Sequence, residues 1–334
     1  MRISTVVVTW NGKHLLTPCL AALYAGERVP DEIVVVDNGS TDGTVAWLAA
    51  TYPRVVVVPC AANLGFAHAN NLGIRRATGN AIFTLNNDAY VAPGVVAALA
   101  DTLETGGERC GAAMATMVFH SRPEVVACDG VAVSRDGVVR ETRLGNPYNA
   151  ALLPRPVFGP SAGAALYRRA ALDDVGLFDP AFFAYLEDAD LAWRLRLRRW
   201  ETLSVPAARV AHVYSATSGY GSPRKAYYLA RNRWWCLLKN LPDALLRRHA
   251  PAIAAYDAQA TAFALATGNR ASLAGRRAAL AELPAIRAAR ARVQSRVTAD
   301  MGELGAWLQP SPSPLATLRE RGRIAALLST DDAR

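Results

Sequence analysis

The chain has 334 residues, of which 51% are hydrophobic and 19% charged, and its formal net charge is +9. This composition suits a soluble globular protein with a sizeable core, and the positive charge favours anionic partners such as nucleotides. Five scattered cysteines lack the spacing of metal ligands and no stretch approaches 18 uninterrupted apolar residues, which excludes a cysteine metal site and a membrane-spanning helix.

Short β-branched runs alternate with helical patterns through the first hundred residues. The predicted strands are Ile3–Trp10, Glu32–Asn38, Val55–Pro59 and Ala81–Asp88. Helical patterns follow them, at about His14–Ala25, within "GSTDGTVAWLAATY", from about Gly65, and after Pro93. Strand and helix alternating at this spacing imply parallel strands with crossover helices, so we predict an α/β fold with a doubly wound, mostly parallel sheet.

The middle of the chain is less regular, and its end is helical. We predict a strand in "GAAMATMVF" and hairpins and loops in residues 122–156. A strand and a helix are predicted in "SAGAALYRRAALDDVG", and an amphipathic helix in "YLEDADLAWRL". A final pair of strands is predicted in "TLSVPAARVAHVY". From about Pro223 the pattern is helical. Breaks are expected at Pro242, Pro251, Pro284 and Pro310.

Three of the four early strands end in polar residues, namely Asn11, Asp37 and Asp88. In a parallel sheet these ends meet at one edge, where a nucleotide would bind. Local structure offers an alternative, because "NND" (residues 86–88) is typical of a turn and the residues after Asp37 are typical of a helix N-cap.

Three carboxylates, on Glu187, Asp188 and Asp190, crowd into four positions at the start of a predicted helix. The helix macrodipole favours acidic residues there, which is one explanation. Adjacent carboxylates also repel each other, and such crowding raises one carboxyl pKa towards the range of a general base.

The motifs resemble a known family. "VVVTWNG", "EIVVVDNGSTDGT", "NLGFAHANNLGIRRA" and "FTLNNDAYV" resemble, in order, the nucleotide-binding segments of inverting family-2 glycosyltransferases with a GT-A fold, in the rhamnosyltransferase-like branch. "GPSAGAALYRRAALDDVGLFDPAFFAYLEDADLAWRLRLRRW" and "ARVAHVYSATSG" resemble that branch's acceptor and catalytic segments, and "YYLARNRWW" follows its pattern. The resemblance covers roughly Ile3–Leu241. It implies a GT-A domain over residues 1–240, with a nucleotide-sugar half (1–100) and an acceptor and catalytic half (101–240) on one continuous sheet, followed by a helical extension (241–334).

The resemblance also implies binding residues. Those for the nucleotide-sugar donor are Thr9, Asn11, Asp37, Asn63, Gly65, Asn70, Asn86, Asn87 and Asp88. Those for the acceptor are Ser161, Ala162, Gly163 and Tyr185. Asp37 would accept a hydrogen bond from a uracil- or thymine-type N–H, whereas Asn63 and Asn70 are equally explained by helix capping and solvent exposure.

Catalytic and metal-binding roles are implied in the same way. Asp188, with Glu187 beside it, would be the general base. Asp88 and His212 would hold a divalent cation, Mg²⁺ or Mn²⁺, on the donor diphosphate, although a lone histidine is more often a packed or surface residue. Asn86 replaces the first aspartate of the family's Asp-x-Asp motif. Arg231 would pair with phosphate oxygens or lie on a solvated helix face.

The implied reaction is the metal-assisted, inverting transfer of a sugar from a dTDP- or UDP-sugar, such as dTDP-rhamnose, to a hydroxyl group. The acceptor would be a saccharide, a lipid-linked saccharide or a small molecule, and no nucleic-acid partner is expected. Two alternatives remain. A sugar-nucleotide pyrophosphorylase would need a glycine-rich phosphate loop, of which "TWNGKHL" has only Gly12 and Lys13. A non-catalytic scaffold is disfavoured because Asp88 and Asp188 are both retained.

The Arg-rich stretch Arg270–Val297 has two interpretations. It lies on an anionic membrane surface, or it packs on the catalytic domain with a charged outer face, which is the commoner arrangement. Its predicted apolar contacts are Leu273, Leu280, Ile286 and Val293. The C-terminal helices also offer a surface for a homodimer. Because the first residues lack the features of a signal peptide, we expect a cytoplasmic protein, with at most peripheral contact at the inner face of the membrane.

Overall fold

The computed structural model describes residues 1–213, 222–313 and 322. Its strands, in chain order, are β1 Ile3–Thr9, β2 Glu32–Asp37, β3 Val56–Pro59, β4 Ala81–Asn86, β5 Ala89–Val91, β6 Cys110–Phe119, β7 Val126–Cys128, β8 Val131–Val133, β9 Val139–Glu141, β10 Arg155–Val157, β11 Ala164–Arg168 and β12 Glu201–His212. Its helices are α1 Lys13–Tyr24, α2 Thr44–Thr51, α3 Phe66–Arg76, α4 Val95–Thr105, α5 Arg169–Val175, α6 Glu187–Leu197, α7 Pro223–Asn240, α8 Asp243–Ala266, α9 Arg270–Ala281, α10 Leu283–Gln294 and α11 Met301–Trp307.

One sheet runs through the described part of the chain in the order β10-β12-β6-β11-β4-β1-β2-β3, with β5 on β12 and β7 on β6. The pairs β1–β2, β1–β4, β2–β3 and β6–β12 are parallel, while β11 is antiparallel to β4 and β6. The predicted mostly parallel, continuous sheet is therefore confirmed. β8 and β9 form a separate hairpin.

Helices cover both faces of the sheet, which explains why its strands are apolar without alternation. In β1, Val7 packs in a core with Leu16 and Leu20 of α1, whereas the adjacent Val6 packs with Ala67 and Ile74 of α3 on the other face. Among the described residues, no helix is both long and apolar enough to cross a membrane.

Three predictions about elements are wrong. "TLSVPAARVAHVY" forms the single strand β12, whose register with β6 shifts between Val205 and Arg209, where Pro206 cannot donate a ladder hydrogen bond. Pro251 does not break α8, and its exposed position leaves the carbonyl group one turn earlier accessible to water. α6 is not amphipathic, because it is buried from Ala189 to Leu197.

Arg194 and Arg196 are buried with the rest of α6 because they bond main-chain carbonyl groups. Arg194 donates to the Val175 carbonyl at 2.8 Å, and Arg196 donates to the Phe158 carbonyl at 2.8 Å. A sequence pattern cannot distinguish these arginines from exposed ones, since their partners lie about twenty to forty residues earlier in the chain.

The C-terminal helices pack on α7, in agreement with the second interpretation of the Arg-rich stretch. Gly275 of α9 lies so close to the Tyr227 carbonyl of α7 that a Cβ atom would not fit, and Ile286 of α10 is buried. Leu280 is not a contact as predicted, because it is 66% exposed. The end of "ARVAHVYSATSG" from Tyr214, and most of the chain after residue 313, lie outside the described residues.

Candidate functional site

The carboxyl ends of β1, β2 and β4 meet at one edge of the sheet, as predicted. Thr9 lies opposite Asp37, and Val8 lies opposite Asn86. The Asn87 side-chain amide crosses this edge and donates to Thr9 Oγ1 at 3.0 Å. The edge is therefore a set of polar side chains above buried strands.

Asp37 is 2% exposed, and only one of its carboxylate oxygens accepts a hydrogen bond among the described residues. Its Oδ2 accepts from the Ser40 amide at 3.1 Å, while its buried Oδ1 accepts no hydrogen bond within the described residues. Buried carboxylate oxygens without a donor are rare because desolvation is costly. The geometry leaves Oδ1 available to a donor N–H of a ligand.

Two of the predicted donor-binding residues hold their own loops together. Asn11 has a positive φ of 48°, and its Oδ1 accepts from the Thr41 amide at 2.8 Å, which ties the loop after β1 to the loop after β2. Asn63 Oδ1 accepts from the Gly65 amide at 3.0 Å and from Asn38 Nδ2 at 3.1 Å. Both side chains shape the edge through these bonds.

Two further predicted donor-binding residues, Asn70 and Gly65, are tightly packed. Asn70 is buried and donates to the Phe66 carbonyl at 2.9 Å, so solvent exposure does not explain it. Gly65 has a φ of +84°, and a Cβ atom there would collide with Phe183. The start of α3 is thereby held against the loop that precedes α6.

The "NND" motif forms the predicted turn, with Asn87 and Asp88 between β4 and β5. β5 pairs with β12 and sets Ala89 opposite His212. Asp88 Oδ1 consequently lies 3.2 Å from His212 Nε2, and Asn86 Nδ2 lies 3.5 Å from the same nitrogen. Asp88 is 6% exposed, and its Oδ1 accepts no hydrogen bond among the described residues. The turn thus presents a buried carboxylate oxygen beside an imidazole.

The segment Ser161–Gly163 connects this edge to α6. The Asn86 amide donates to the Gly163 carbonyl at 2.9 Å. Burial raises the pKa of Asp188, and Ser161 and Ala162, at the other end of the segment, lie close enough to its carboxyl group to oppose that rise. This segment therefore lies between the polar strand ends and the start of α6.

The three carboxyl groups at the start of α6 differ in the direction of their pKa shifts. Burial raises the pKa of Asp188, although hydrogen bonds, including one of 2.7 Å from the Ala189 amide, partly oppose this. Burial, followed by repulsion from Asp188, raises the pKa of Glu187 well above its ordinary range. Burial opposes ionisation of Asp190 as well, but Lys239 and Arg194 outweigh it and lower that pKa. The predicted rise of a carboxyl pKa is therefore present at Glu187 and Asp188, and burial contributes more to it than the crowding of the carboxylates does.

A strained loop leads into α6, and Asn232 holds it. Phe183, Tyr185 and Leu186 all have positive φ, between 60° and 68°, which costs energy for residues other than glycine. The fully buried Asn232 Nδ2 lies 2.9, 2.9 and 2.8 Å from the carbonyl oxygens of Phe182, Ala184 and Tyr185. Asn232 was not predicted from the sequence as a site residue, although it lies within "YYLARNRWW".

Two other residues of α7, Arg231 and Lys239, also contact the chain before and within α6. Arg231 is buried, pairs with Glu282 at 2.7 Å and donates to the Ala181 carbonyl at 2.8 Å, so it does not lie on a solvated face. Lys239 Nζ lies 2.6 Å from Asp179 and 2.8 Å from Asp190. The Lys239–Asp190 contact ties α7 to α6, and the contacts with Asp179 and Ala181 tie α7 to the chain that precedes α6. None of them was predicted, because the partners are about fifty residues apart.

The sequence matches a known protein family and resembles several bacterial glycosyltransferases. The family model described as Glycosyl transferase family 2 matches residues 4–176. N-acetylglucosaminyl-diphospho-decaprenol L-rhamnosyltransferase of Mycobacterium tuberculosis is 32% identical over 242 residues, covering 65% of this chain and 78% of the relative. The uncharacterized glycosyltransferase YwdF of Bacillus subtilis is 26% identical over 238 residues, covering 68% of this chain and 81% of the relative.

Solved structures show the same fold. GalNAc-T7 with UDP, GalNAc and Mn²⁺ superposes with a TM-score of 0.57 at 18% identity, covering 71% of this chain and 48% of the other. TarS residues 1–349 of S. aureus with UDP-GlcNAc superposes with a TM-score of 0.52 at 19% identity, covering 77% of this chain and 71% of the other.

Proposed function

Because the chain belongs to glycosyl transferase family 2 and is a glycosyltransferase with a GT-A fold, we propose that it transfers a sugar from a nucleoside diphosphate to a hydroxyl group, with inversion at the anomeric carbon. One observation supports this most. The Asn86 amide bonds the Gly163 carbonyl, and the same segment brings Ser161 and Ala162 close to Asp188, a carboxyl group whose pKa is raised by burial. We assign donor binding to residues 1–100, acceptor binding and catalysis to 101–240, and a helical extension to 241–334.

The donor base is proposed to bind at Asp37. Its unpartnered Oδ1 suits the N3–H of uracil or thymine, which is a donor that neither guanine nor cytosine offers in the same position. The nucleotide would lie over Thr9, Asn11 and the loop at Asn63 and Gly65, and the diphosphate would reach Asp88. The rhamnosyltransferase relative supports a rhamnosyl donor.

Asp88 and His212 fit a hard divalent cation, Mg²⁺ or Mn²⁺. Asp88 Oδ1 is buried and accepts no hydrogen bond among the described residues, 3.2 Å from an imidazole nitrogen. No group of three or more His, Cys, Asp or Glu residues that could hold a metal occurs in the described ranges. The proposed cation would take its other ligands from phosphate and water. When bound, the cation would supply positive charge that stabilises the leaving diphosphate.

Asp188 is proposed as the general base. Its carboxylate accepts the proton of the acceptor hydroxyl while that oxygen forms a bond to the anomeric carbon. The bond from that carbon to the diphosphate breaks with its electron pair, and a single displacement inverts the configuration. The Ala189 amide donates a hydrogen bond to this carboxylate at 2.7 Å, and burial keeps its pKa raised.

For the acceptor, the named relative points to a lipid-linked saccharide. That protein is described as acting on N-acetylglucosaminyl-diphospho-decaprenol, and we propose a diphospholipid-linked sugar here, with Tyr185 at its binding site. A pyrophosphorylase is disfavoured by family membership.

Selective, metal-dependent nucleotide binding tests the proposed donor site. In a thermal-shift comparison of UDP, dTDP, GDP and CDP, each with Mn²⁺, Mg²⁺ or EDTA, we expect UDP or dTDP with metal to raise Tm by several degrees, since a ligand that binds only the folded state stabilises it. Asp37→Ala should reduce the preference for UDP or dTDP over GDP and CDP. If no nucleotide raises Tm with any metal, the proposed donor site is wrong.

Asn232 is expected to act as a positioning residue. Asn232→Ala leaves the carbonyl groups of a strained loop without their donor, at a cost of about 1–3 kcal/mol in stability. Because Asp188 directly follows that loop, whereas only Phe183 of the loop contacts the donor edge at Gly65, kcat should fall at least tenfold and KM for the donor should change less than kcat. Steady-state kinetics at saturating acceptor would measure both.

Asn240→Ala is the matched control for this prediction. Asn240 is also fully buried on α7, but its Nδ2 bonds Asp190 and the Cys236 carbonyl instead of the loop. A similar loss of stability with a much smaller loss of kcat would separate positioning from folding. Equal kcat losses in the two variants would show that Asn232 has only a structural role.

A further inference from the structure

A cavity of about 570 Å³ lies between α6, α7 and α10. Its lining includes Arg194, Leu197 and Arg198 of α6, and Ala289, Arg292 and Val293 of α10. In each set the residues follow one another at i, i+3 and i+4, which places them on one face of their helix. Two helix faces therefore bound the cavity.

This cavity lies on the side of α6 away from the proposed base. Leu197 follows Asp188 by nine residues within α6, which is about two and a half helical turns, so the two side chains point in opposite directions. The described residues that line the cavity include none of those proposed to bind the donor. An occupant would therefore belong to a second site.

Part of the cavity lining is apolar. The apolar residues come from the end of α5 and the chain after it, from α6 and from α10, and are Val175, Leu177, Pro180, Leu197, Ala289 and Val293. Sites for small organic molecules have volumes of about 300–1,000 Å³ and combine an apolar lining with a few polar groups that fix the orientation of the ligand. The cavity has this size and this kind of lining.

The polar part of the lining is mainly basic. Its five basic side chains are Arg194, Arg198, Lys239, Arg292 and Arg296. Arg194 and Lys239 are buried, and their partners are the carboxylates of Asp190 and Asp179. Arg198 and Arg296 share one carboxylate, that of Asp174. Five basic groups thus meet three carboxylates, which leaves an excess of two positive charges.

The charge excess is greatest at Arg292. Its side chain is exposed, and within the described ranges it makes no hydrogen bond or ion pair. A phosphate monoester carries close to two negative charges at neutral pH, which matches the excess, whereas a carboxylate carries only one. The planar guanidinium group also bonds two phosphate oxygens at once. The basic side chains therefore suit a phosphate group.

We propose that this cavity binds a small ligand in which a phosphate or diphosphate is attached to an apolar group. Arg292 and Arg296 bind the phosphate, and the apolar group lies against Leu177 and Val293. This second site goes beyond the proposed transfer reaction, and it depends on neither the donor site nor the base.

Calorimetric titration of the full chain with geranyl phosphate, geraniol and inorganic phosphate, each in EDTA, tests the proposal. We expect geranyl phosphate to bind at least tenfold more tightly than either of the others, because only geranyl phosphate contacts both the apolar and the basic lining. Arg292→Glu should weaken binding of geranyl phosphate at least tenfold, since it replaces a positive charge beside the phosphate with a negative one.

Arg287→Glu is the matched control, because Arg287 is exposed on the same helix but does not line the cavity. This variant should bind geranyl phosphate like the wild type, and both arginine variants should keep the wild-type Tm. Asp88→Asn should also bind it like the wild type, which makes the outcome independent of the donor site.

Three results would overturn the proposal: geranyl phosphate does not bind, geraniol or inorganic phosphate binds as tightly, or the two arginine variants lose affinity equally. Vesicles of phosphatidylcholine with phosphatidic acid then distinguish the sources of the phosphate. Binding to these vesicles that Arg292→Glu weakens and Arg287→Glu does not would identify a lipid phosphate. Binding of geranyl phosphate without binding to the vesicles would identify a soluble one.

Discussion

Asp188→Asn is expected to lower kcat about a thousandfold while leaving the Kd for the donor nucleotide nearly unchanged. The amide keeps the size of the carboxylate, and its oxygen can still accept from the Ala189 amide, but it cannot take a proton from the acceptor hydroxyl. Single-turnover transfer and equilibrium nucleotide binding, measured on the same preparation, give the two values. A variant that turns over at the wild-type rate would show that another group is the base.

The pH dependence gives a second expected result for the same residue. Because the folded-state pKa of Asp188 is raised, kcat/KM should fall with decreasing pH at a value above the ordinary range for aspartate, which is about 3.9. Glu187→Gln should move this acid limb little, because burial raises the pKa of Glu187 well above its ordinary range and leaves it uncharged where Asp188 titrates.

Stability should change in the direction opposite to activity. A carboxyl group whose pKa is raised on folding stabilises the protein below its unfolded pKa, and this contribution is lost as the pH rises through the folded pKa. At neutral pH the ionised Asp188 is therefore a destabilising group. Asp188→Asn should have a Tm at pH 7 no lower than that of the wild type, and a large loss of Tm would instead indicate a structural role.

Asp88→Asn is expected to remove the metal dependence of donor binding and to lower kcat/KM by about a hundredfold or more. Asparagine suits the same turn and has nearly the same volume, so β5 should still pair with β12. What is lost is the anionic oxygen beside His212 Nε2. Titration of UDP or dTDP with and without Mn²⁺ would measure the change.

Chelation provides the control for Asp88→Asn. In EDTA the wild type and the variant should bind the nucleotide equally weakly, because the difference between them depends on the cation. A variant that retains the full Mn²⁺ effect would show that Asp88 does not hold the metal. A variant that is weaker than the wild type even in EDTA would show that the turn itself has been disturbed.

The sheet and its polar edge could be predicted because the signals are local. Runs such as Ile3–Thr9 and Ala81–Asn86 are buried on both faces, and each ends in a polar residue at the same edge. The turn at "NND" could be predicted for the same reason. Its closeness to His212 could not be derived from these residues alone, because β5 and β12 are more than a hundred residues apart and meet only in the folded sheet.

The support of Asp188 depends on contacts that no local pattern encodes. Asn232 is one polar residue within a helical segment, and its role exists only because the loop at residues 182–186 folds against it. The exposure of Leu280 was mispredicted because helical periodicity identifies an apolar position without showing which neighbour covers it.

The anomeric configuration of the product tests the central claim most directly. Proton NMR of the sugar transferred from a nucleotide-sugar that binds in the thermal-shift comparison, to an N-acetylglucosaminyl diphosphate on a short lipid, would read the configuration from the coupling and shift of the anomeric proton. We predict a product of inverted configuration that forms with the wild type and not with Asp188→Asn. A product that retains the donor's configuration, or one that Asp188→Asn forms equally fast, would contradict a single displacement assisted by Asp188.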